Sequence, residues 1–387
     1  MSKSRWILPI IVISQFCCTS LWFAGNSVMN DLATAFDLTE SALGHLTSAV
    51  QFGFITGTLV FALFTIADRF SPSKVFFTCA LLGALFNLGI TIENNSLTGL
   101  LGFRFSTGFF LAGIYPVGMK IAADHFQKGL GKSLGFLVGA LVLGTAFPHF
   151  LKAMSTGFPW RSVLFFTSGL ATIGGLLMFF FVPDGKHRRS SQKPDFTAFF
   201  KVFENKKFRS AAFGYFGHMW ELYTFWAFVP IMLLNYSTIH SHTDLNIPLL
   251  SFFIIALGGV ACVVGGYLSE HFGTKRIAFI ALTLSCICCL VSPLIFMQSS
   301  ATLLIGFLIF WGLVVIADSP LFSTLVAQNA IPESKGTALT IVNCIGFFIT
   351  IFSIQLMSYL QLTMDVRYVY VLLAIGPILG LIALYRE

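Results

Sequence analysis

Ala67-Asp68-Arg69-Phe70, with Lys74 close behind, ends one long apolar run, and Gly266-Tyr267-Leu268-Ser269-Glu270-His271-Phe272-Gly273-Thr274-Lys275-Arg276 ends another. In both, an acid and then bases follow the apolar segment, and Asp68 and Glu270 stand 202 residues apart. In a membrane chain, one feature repeated at about half the chain length points to two homologous halves. Such a chain is suited to rocking one half against the other.

That this is a membrane chain follows from its composition. Of 387 residues, 56% are hydrophobic and 10% charged, with a mean hydropathy of +0.85. A soluble domain carries roughly 25% charged residues, so this chain cannot clothe itself in a solvated surface. Its 45 phenylalanines suit lipid-facing helix flanks. The net charge of +7 invites a nucleic-acid reading, but the placement of the bases described below argues against it. The eight cysteines lie within apolar runs, and Cys286-Ile287-Cys288-Cys289 has no His or carboxylate beside it. They read as small buried residues, and neither a metal nor another cofactor is expected. The first apolar run is long enough to span and reaches Asn26 and Asn30 without a clear small-residue cleavage site, so no cleavable signal is expected.

A membrane-crossing helix needs about 20 apolar residues. Breaks in hydropathy predict twelve spans, near 6–30, 42–66, 74–92, 97–123, 132–152, 161–182, 210–235, 247–269, 275–296, 301–325, 336–359 and 367–385. The one long polar connection, 184–209, carries eight Lys and Arg residues and reads as a cytoplasmic basic linker. It divides an N-terminal six-helix bundle, 1–183, from a C-terminal one, 210–387. With both termini in the cytoplasm, 18 of the 23 Lys and Arg fall inside and only Lys152, Arg161 and Arg367 outside. The positive-inside rule selects that orientation. The halves match again at Tyr115-Pro116 and Ser319-Pro320, offset by 204, at Gly131 and Gly336, offset by 205, and at Trp22 and Trp226, offset by 204.

The whole pattern resembles a major facilitator superfamily transporter across all twelve spans. That resemblance implies an all-α integral membrane fold with two pseudo-symmetric six-helix bundles, related by a pseudo-two-fold axis along the membrane normal. It also implies a glycine–acid–base signature between the second and third helices, with a second copy between the eighth and ninth. Here the second copy is the fuller, with Gly266, Glu270, Gly273, Lys275 and Arg276; the first keeps Asp68, Arg69 and Lys74 but has Phe64 and Ser71 where the family's glycines fall. These eight residues are the expected gate. Arg104 with Gly108 is similar to the family's fourth-helix motif, which implies a part in proton coupling. Gly135, Gly139, Gly144 and Pro148 resemble the drug/proton antiporter motif only loosely, because the Gly-Pro dipeptide is missing. The run Gly214 to Tyr223 is similar to a signature of one bacterial subgroup. A nitrate-type porter would share the outline, but its arginines in the second and eighth helices are absent here.

In that family the first, fourth, seventh and tenth helices line the central cavity, and the interior charges here fall on three of them. A charge at the bilayer centre costs roughly 2.5–3.5 kcal/mol on insertion scales, so it faces a cavity or a partner. Glu221 lies near mid-membrane on the seventh span, with His218 one turn earlier on the same face. The pair is expected to load and release a proton, His218 tuning Glu221; a structural pair bonded to other helices is the alternative. Asp318, beside Ser319 and Pro320 in the tenth span, and Lys120, near the inner end of the fourth, are candidates to meet the solute. For Lys120 the alternative is snorkelling to the headgroups. Gln15, Trp22 and Asn26, spaced by seven and four, share a helical face and join Tyr115, Trp220 and Tyr223 as candidate cavity residues. Trp22 and Trp226 could equally anchor at the interface.

No nucleophile–base arrangement, phosphate loop or metal motif is present, so an enzyme is not expected. The expected function is secondary active transport of a small polar or anionic organic solute across the inner membrane, by alternating access and coupled to protons. The alternatives are an inorganic-anion porter of the nitrate/nitrite type, a drug or siderophore efflux carrier, and a passive channel. The expected partners are the solute, protons and membrane lipids, without nucleic acid, and the expected state is a monomer.

Overall fold

Proline, glycine and a buried arginine decide where the apolar runs bend. The computed structural model describes residues 4–126, 130–155, 157–188, 203–240, 244–331 and 335–386. Lys128 and most of the basic segment after 188 lie outside them. Among the described residues the secondary structure is all helical. Among those residues eleven helices are long and apolar enough to cross a membrane, and Trp6–Thr19 is a shorter apolar helix that makes the twelfth segment.

Several spans that hydropathy reads as single rods are broken. The first, expected over 6–30, is a helix Ser4–Thr19, a non-helical stretch at 20–23, and short helices Ala24–Ser27 and Met29–Phe36. The fourth stops at Leu111 and restarts at Tyr115, and the tenth stops at Ala317 and restarts at Ser319. In both restarts a proline, Pro116 or Pro320, is the second helical residue. Proline has no N–H to give and suits a first turn, although Pro9, Pro148, Pro230 and Pro293 lie inside helices that run on. The eighth span breaks at Leu257, and the seventh runs unbroken from Lys206 to Ile239.

The chain divides into two compact units, Met1–Lys193 and Pro194–Glu387. In the first unit, the second and fourth spans touch backbone to backbone. A Cβ on Gly108 would fall 2.0 Å from the Val50 carbonyl oxygen, and one on Gly53 1.9 Å from that of Phe105. The third and sixth spans are tied by Asn87, whose amide donates to Ser168 Oγ at 2.9 Å and Thr167 Oγ1 at 3.2 Å. The first span seats against the fifth at Gly144 and the sixth at Gly174.

The second unit repeats the device. A Cβ on Gly312, in the tenth span, would fall 2.1 Å from the Ile254 carbonyl oxygen in the eighth. Gly312 and Ile254 each lie 204 residues after Gly108 and Val50, so the duplicated halves keep the same close contact. The seventh span meets the twelfth where Gly217 approaches the Gly376 carbonyl, and the eleventh through Thr224 and Ser353, 2.5 Å apart. Without a hydrophobic driving force between helices in lipid, small residues and interhelical hydrogen bonds are what hold such bundles.

Candidate functional site

The second unit seals two carboxylates in its core. Glu221 is the sixteenth residue of the 34-residue seventh span and is 1% exposed. Its Oε1 accepts from the Ser285 hydroxyl, from Trp311 Nε1 at 2.6 Å and from Cys289 Sγ at 3.2 Å. Ser285 and Cys289 stand four apart on one face of the ninth span, and Trp311 comes from the tenth. A buried carboxylate needs such donors, because burying it bare costs several kcal/mol.

His218 does not meet Glu221, contrary to the sequence expectation. Its Nδ1 lies 2.8 Å from Asp318 Oδ1, both side chains being 1% exposed. Asp318 sits in the break of the tenth span, where the chain leaves helical register and brings its side chain to the seventh. The His218 ring lies 6.1 Å from that of Tyr215 and 6.0 Å from that of Phe322, and its Nε2 is buried with no partner among the described residues. Close by, Trp220 Nε1 donates to the Leu372 carbonyl at 3.4 Å, and Tyr223 packs edge-on against Trp226 at 5.3 Å.

In the first unit Arg104 is 1% exposed and grips the broken first span. Its Nη1 donates to the Leu21 carbonyl at 3.2 Å and its Nη2 to that of Trp22 at 2.5 Å. Gly25 leaves room for the guanidinium, since a Cβ there would lie 3.3 Å from Nε. Trp22 stacks obliquely on Phe54 with centroids 4.8 Å apart, and Asn26 donates to Thr47 Oγ1 at 2.7 Å. Gln15 is fully buried against Gly118, and neither amide atom has a partner among the described residues. Tyr115 is the first residue of the restarted half of the fourth span.

Lys120, a candidate to meet the solute, pairs with Asp68 at 2.8 Å and Asp124 at 3.6 Å. Arg69 Nε donates to Thr65 Oγ1 at 3.2 Å, and Lys74 is exposed. The start of the segment read in the sequence as a basic linker straps this corner together. Arg188 donates to the carbonyls of Asp68 and Phe70 at 2.8 and 2.7 Å and pairs with Asp184 at 2.7 Å, while Ser71 donates to Asp184 at 2.6 Å. Glu270, Lys275 and Arg276 are exposed and form no ion pair with a described residue. Gly273 takes a φ of +91° between the eighth and ninth spans, and Gly266 has nothing near enough to require its missing side chain.

A family model described as Major Facilitator Superfamily matches residues 11–354. The chain is 31% identical over 163 residues to the niacin transporter NiaP of Acinetobacter baylyi, a match covering 36% of each chain. It is 24% identical over 245 residues to the uncharacterized transporter YgaY of Escherichia coli O157:H7, covering 59% of this chain and 60% of the other. The chain therefore spans between about a third and three fifths of the curated relatives it matches. Among solved structures, the proton:xylose symporter XylE bound to 6-bromo-6-deoxy-D-glucose superposes with a TM-score of 0.76 at 12% identity, covering 100% of this chain and 96% of that one.

Proposed function

The chain belongs to the major facilitator superfamily, a family of membrane transporters and not of enzymes, and from that premise we propose a proton-coupled secondary carrier of a small polar or anionic organic solute. It works by alternating access in the inner membrane, as a monomer with both termini in the cytoplasm. The observation that carries the coupling is Glu221. It lies about 22 Å along the seventh span at ~1.5 Å per residue, close to the helix middle, and three donors converge on one of its oxygens. Those donors orient the carboxyl.

Gln15, Trp22, Asn26, Tyr115, Trp220, Tyr223 and Asp318 are the proposed solute contacts, and Arg104 holds the first span in the broken form that presents its share of them. A niacin-named relative and a sugar symporter with the same fold are in keeping with a small organic solute. The test is uptake into proteoliposomes under an imposed pH gradient. Wild type should accumulate its solute against a gradient, whereas Glu221→Gln, which has the same shape but cannot release a proton, should keep solute exchange and lose accumulation. Undiminished accumulation by that variant would make Glu221 a structural residue.

A further inference from the structure

The same corner is filled in one half of the chain and open in the other. In the first unit Lys120 pairs with Asp68 and Asp124, and Ser71 and Arg188 both bind Asp184. Gly185 closes the corner, since a Cβ there would fall 2.4 Å from the Asp124 carbonyl oxygen. Offsets of 202 in the loop and 204 in the fourth and tenth spans give the matching positions of the second unit. Asp124 becomes Gln328, Lys120 becomes Thr324, Ser71 becomes Gly273 and Pro72 becomes Thr274. At that place lies an open groove of about 900 Å³, whose lining includes Lys275, Arg276, Phe279, Ile280, Gln328 and Tyr385. Ligand sites commonly have such a volume.

The groove carries positive charge without a balancing acid. Lys275 and Arg276 stand in the first turn of the 23-residue helix Thr274–Phe296, which has no acidic residue in that turn and no side-chain cap. Bases are ill placed at a helix N-terminus, whose free N–H groups favour an anion. More bases border it. Asn205 donates to the Asn329 carbonyl at 3.2 Å and Ser210 to that of Ala383 at 2.9 Å, which sets Lys206, Lys207 and Arg209 beside the ends of the tenth and twelfth spans. These bases and Arg386 are exposed and form no ion pair with a described residue. The stretches 204–209, 266–276, 325–336 and 385–387 together hold seven Lys and Arg against four Glu. The chain's own acids therefore cannot neutralise all of them.

We infer that this groove binds the phosphate of an anionic phospholipid, held by Lys275, Arg276 and the first-turn N–H groups of the ninth span. Charge alone would serve a free phosphate as well, and the apolar surface decides for the lipid. Ile280, in the groove, begins a row of exposed apolar residues that Ile287, Leu290 and Leu294 continue. Their steps of seven, three and four keep them on one face of the helix. A headgroup seated on the bases has a path for its chains along that row, with the exposed Tyr385 ring at its edge. Basic pockets at helix ends recognise such headgroups by their charge. The lipid supplies from outside what Asp124 and Asp184 supply within the first unit.

The test uses delipidated full-length protein in neutral detergent, titrated with phosphatidylglycerol or phosphatidylcholine and read by native mass spectrometry and melting temperature. Wild type should bind phosphatidylglycerol, melt at a higher temperature with it and take up little phosphatidylcholine. Lys275→Gln combined with Arg276→Gln should weaken that binding by roughly thirtyfold. Both side chains are exposed, so without lipid this variant should melt as wild type does. Gln328→Asp, which gives the second unit the acid that the first has at the matching position, should weaken binding with both bases intact. Lys74→Gln, at the first unit's counterpart of Arg276, should leave it unchanged. Equal binding of the two lipids, or wild-type affinity in the double variant, would overturn the proposal. So would inorganic phosphate that displaces phosphatidylglycerol at matched concentration, because the groove would then be a site for free anions. Binding that appears only after Glu333→Gln and Glu387→Gln would overturn it too, by showing that the chain's own acids fill the groove.

Discussion

Trp311 shows what a single residue contributes that its sequence context hides. Its indole N–H is one of three donors to Glu221 Oε1, and the ring also packs on Phe225 at 4.8 Å. Trp311→Phe keeps most of the ring and deletes the donor, so it should cost about 1–3 kcal/mol, read as a lower melting temperature in detergent. Arg104 makes a matching case in the other unit. Its fork serves two carbonyls at once, and an ammonium cannot reproduce that planar geometry. Arg104→Lys should therefore lower the melting temperature and slow transport together; a variant with wild-type stability and turnover would show that the first span holds its break unaided. The carboxylate and the arginine were legible from their position in apolar runs, but their partners were not.

At the scale of helices, the decisive contacts are between backbones. Gly108 against Val50 and Gly312 against Ile254 allow no side chain, and overpacking such a crossing costs upward of about 1–3 kcal/mol. Gly108→Leu and Gly312→Leu should each fail to give a monodisperse peak on size exclusion. Gly266→Ala, a change in a family motif but with open space around it, should behave as wild type in the same assay. The gate belongs to this scale as well. Asp68→Asn leaves Lys120 with Asp124 and leaves the backbone carbonyls that Arg188 grips in place. We expect slower turnover with solute affinity and melting temperature little changed, and unchanged turnover would speak against a gate at this corner. Hydropathy read the fourth and tenth spans as unbroken, and the restarts at Tyr115 and Ser319 fit the place of Pro116 and Pro320 in a first turn. The break after Thr19 was not legible either, because it lies where an arginine from another span grips the chain.

Orientation is a property of the whole molecule. Lys186 follows the sixth span and Asp244 precedes the eighth, and the asymmetry of bases assigns them to opposite sides of the membrane. All eight native cysteines are buried, so Lys186→Cys and Asp244→Cys should be labelled by impermeant reagents from the cytoplasmic and outer faces respectively. Labelling of both from outside would reverse or break the topology. Sequence alone determined the membrane class, the twelve apolar segments and the repeat near 204 residues. Each of these is written in short-range hydropathy or in the chain's likeness to itself. Tertiary structure decided which charge meets which partner. His218 faces Asp318 across 100 positions of sequence, Glu221 gathers donors from two other spans, and Lys120 turns to Asp68. Those pairings depend on how each helix is rotated about its axis and how closely its glycines let the neighbours come. Hydropathy averaged along one helix does not contain that rotation.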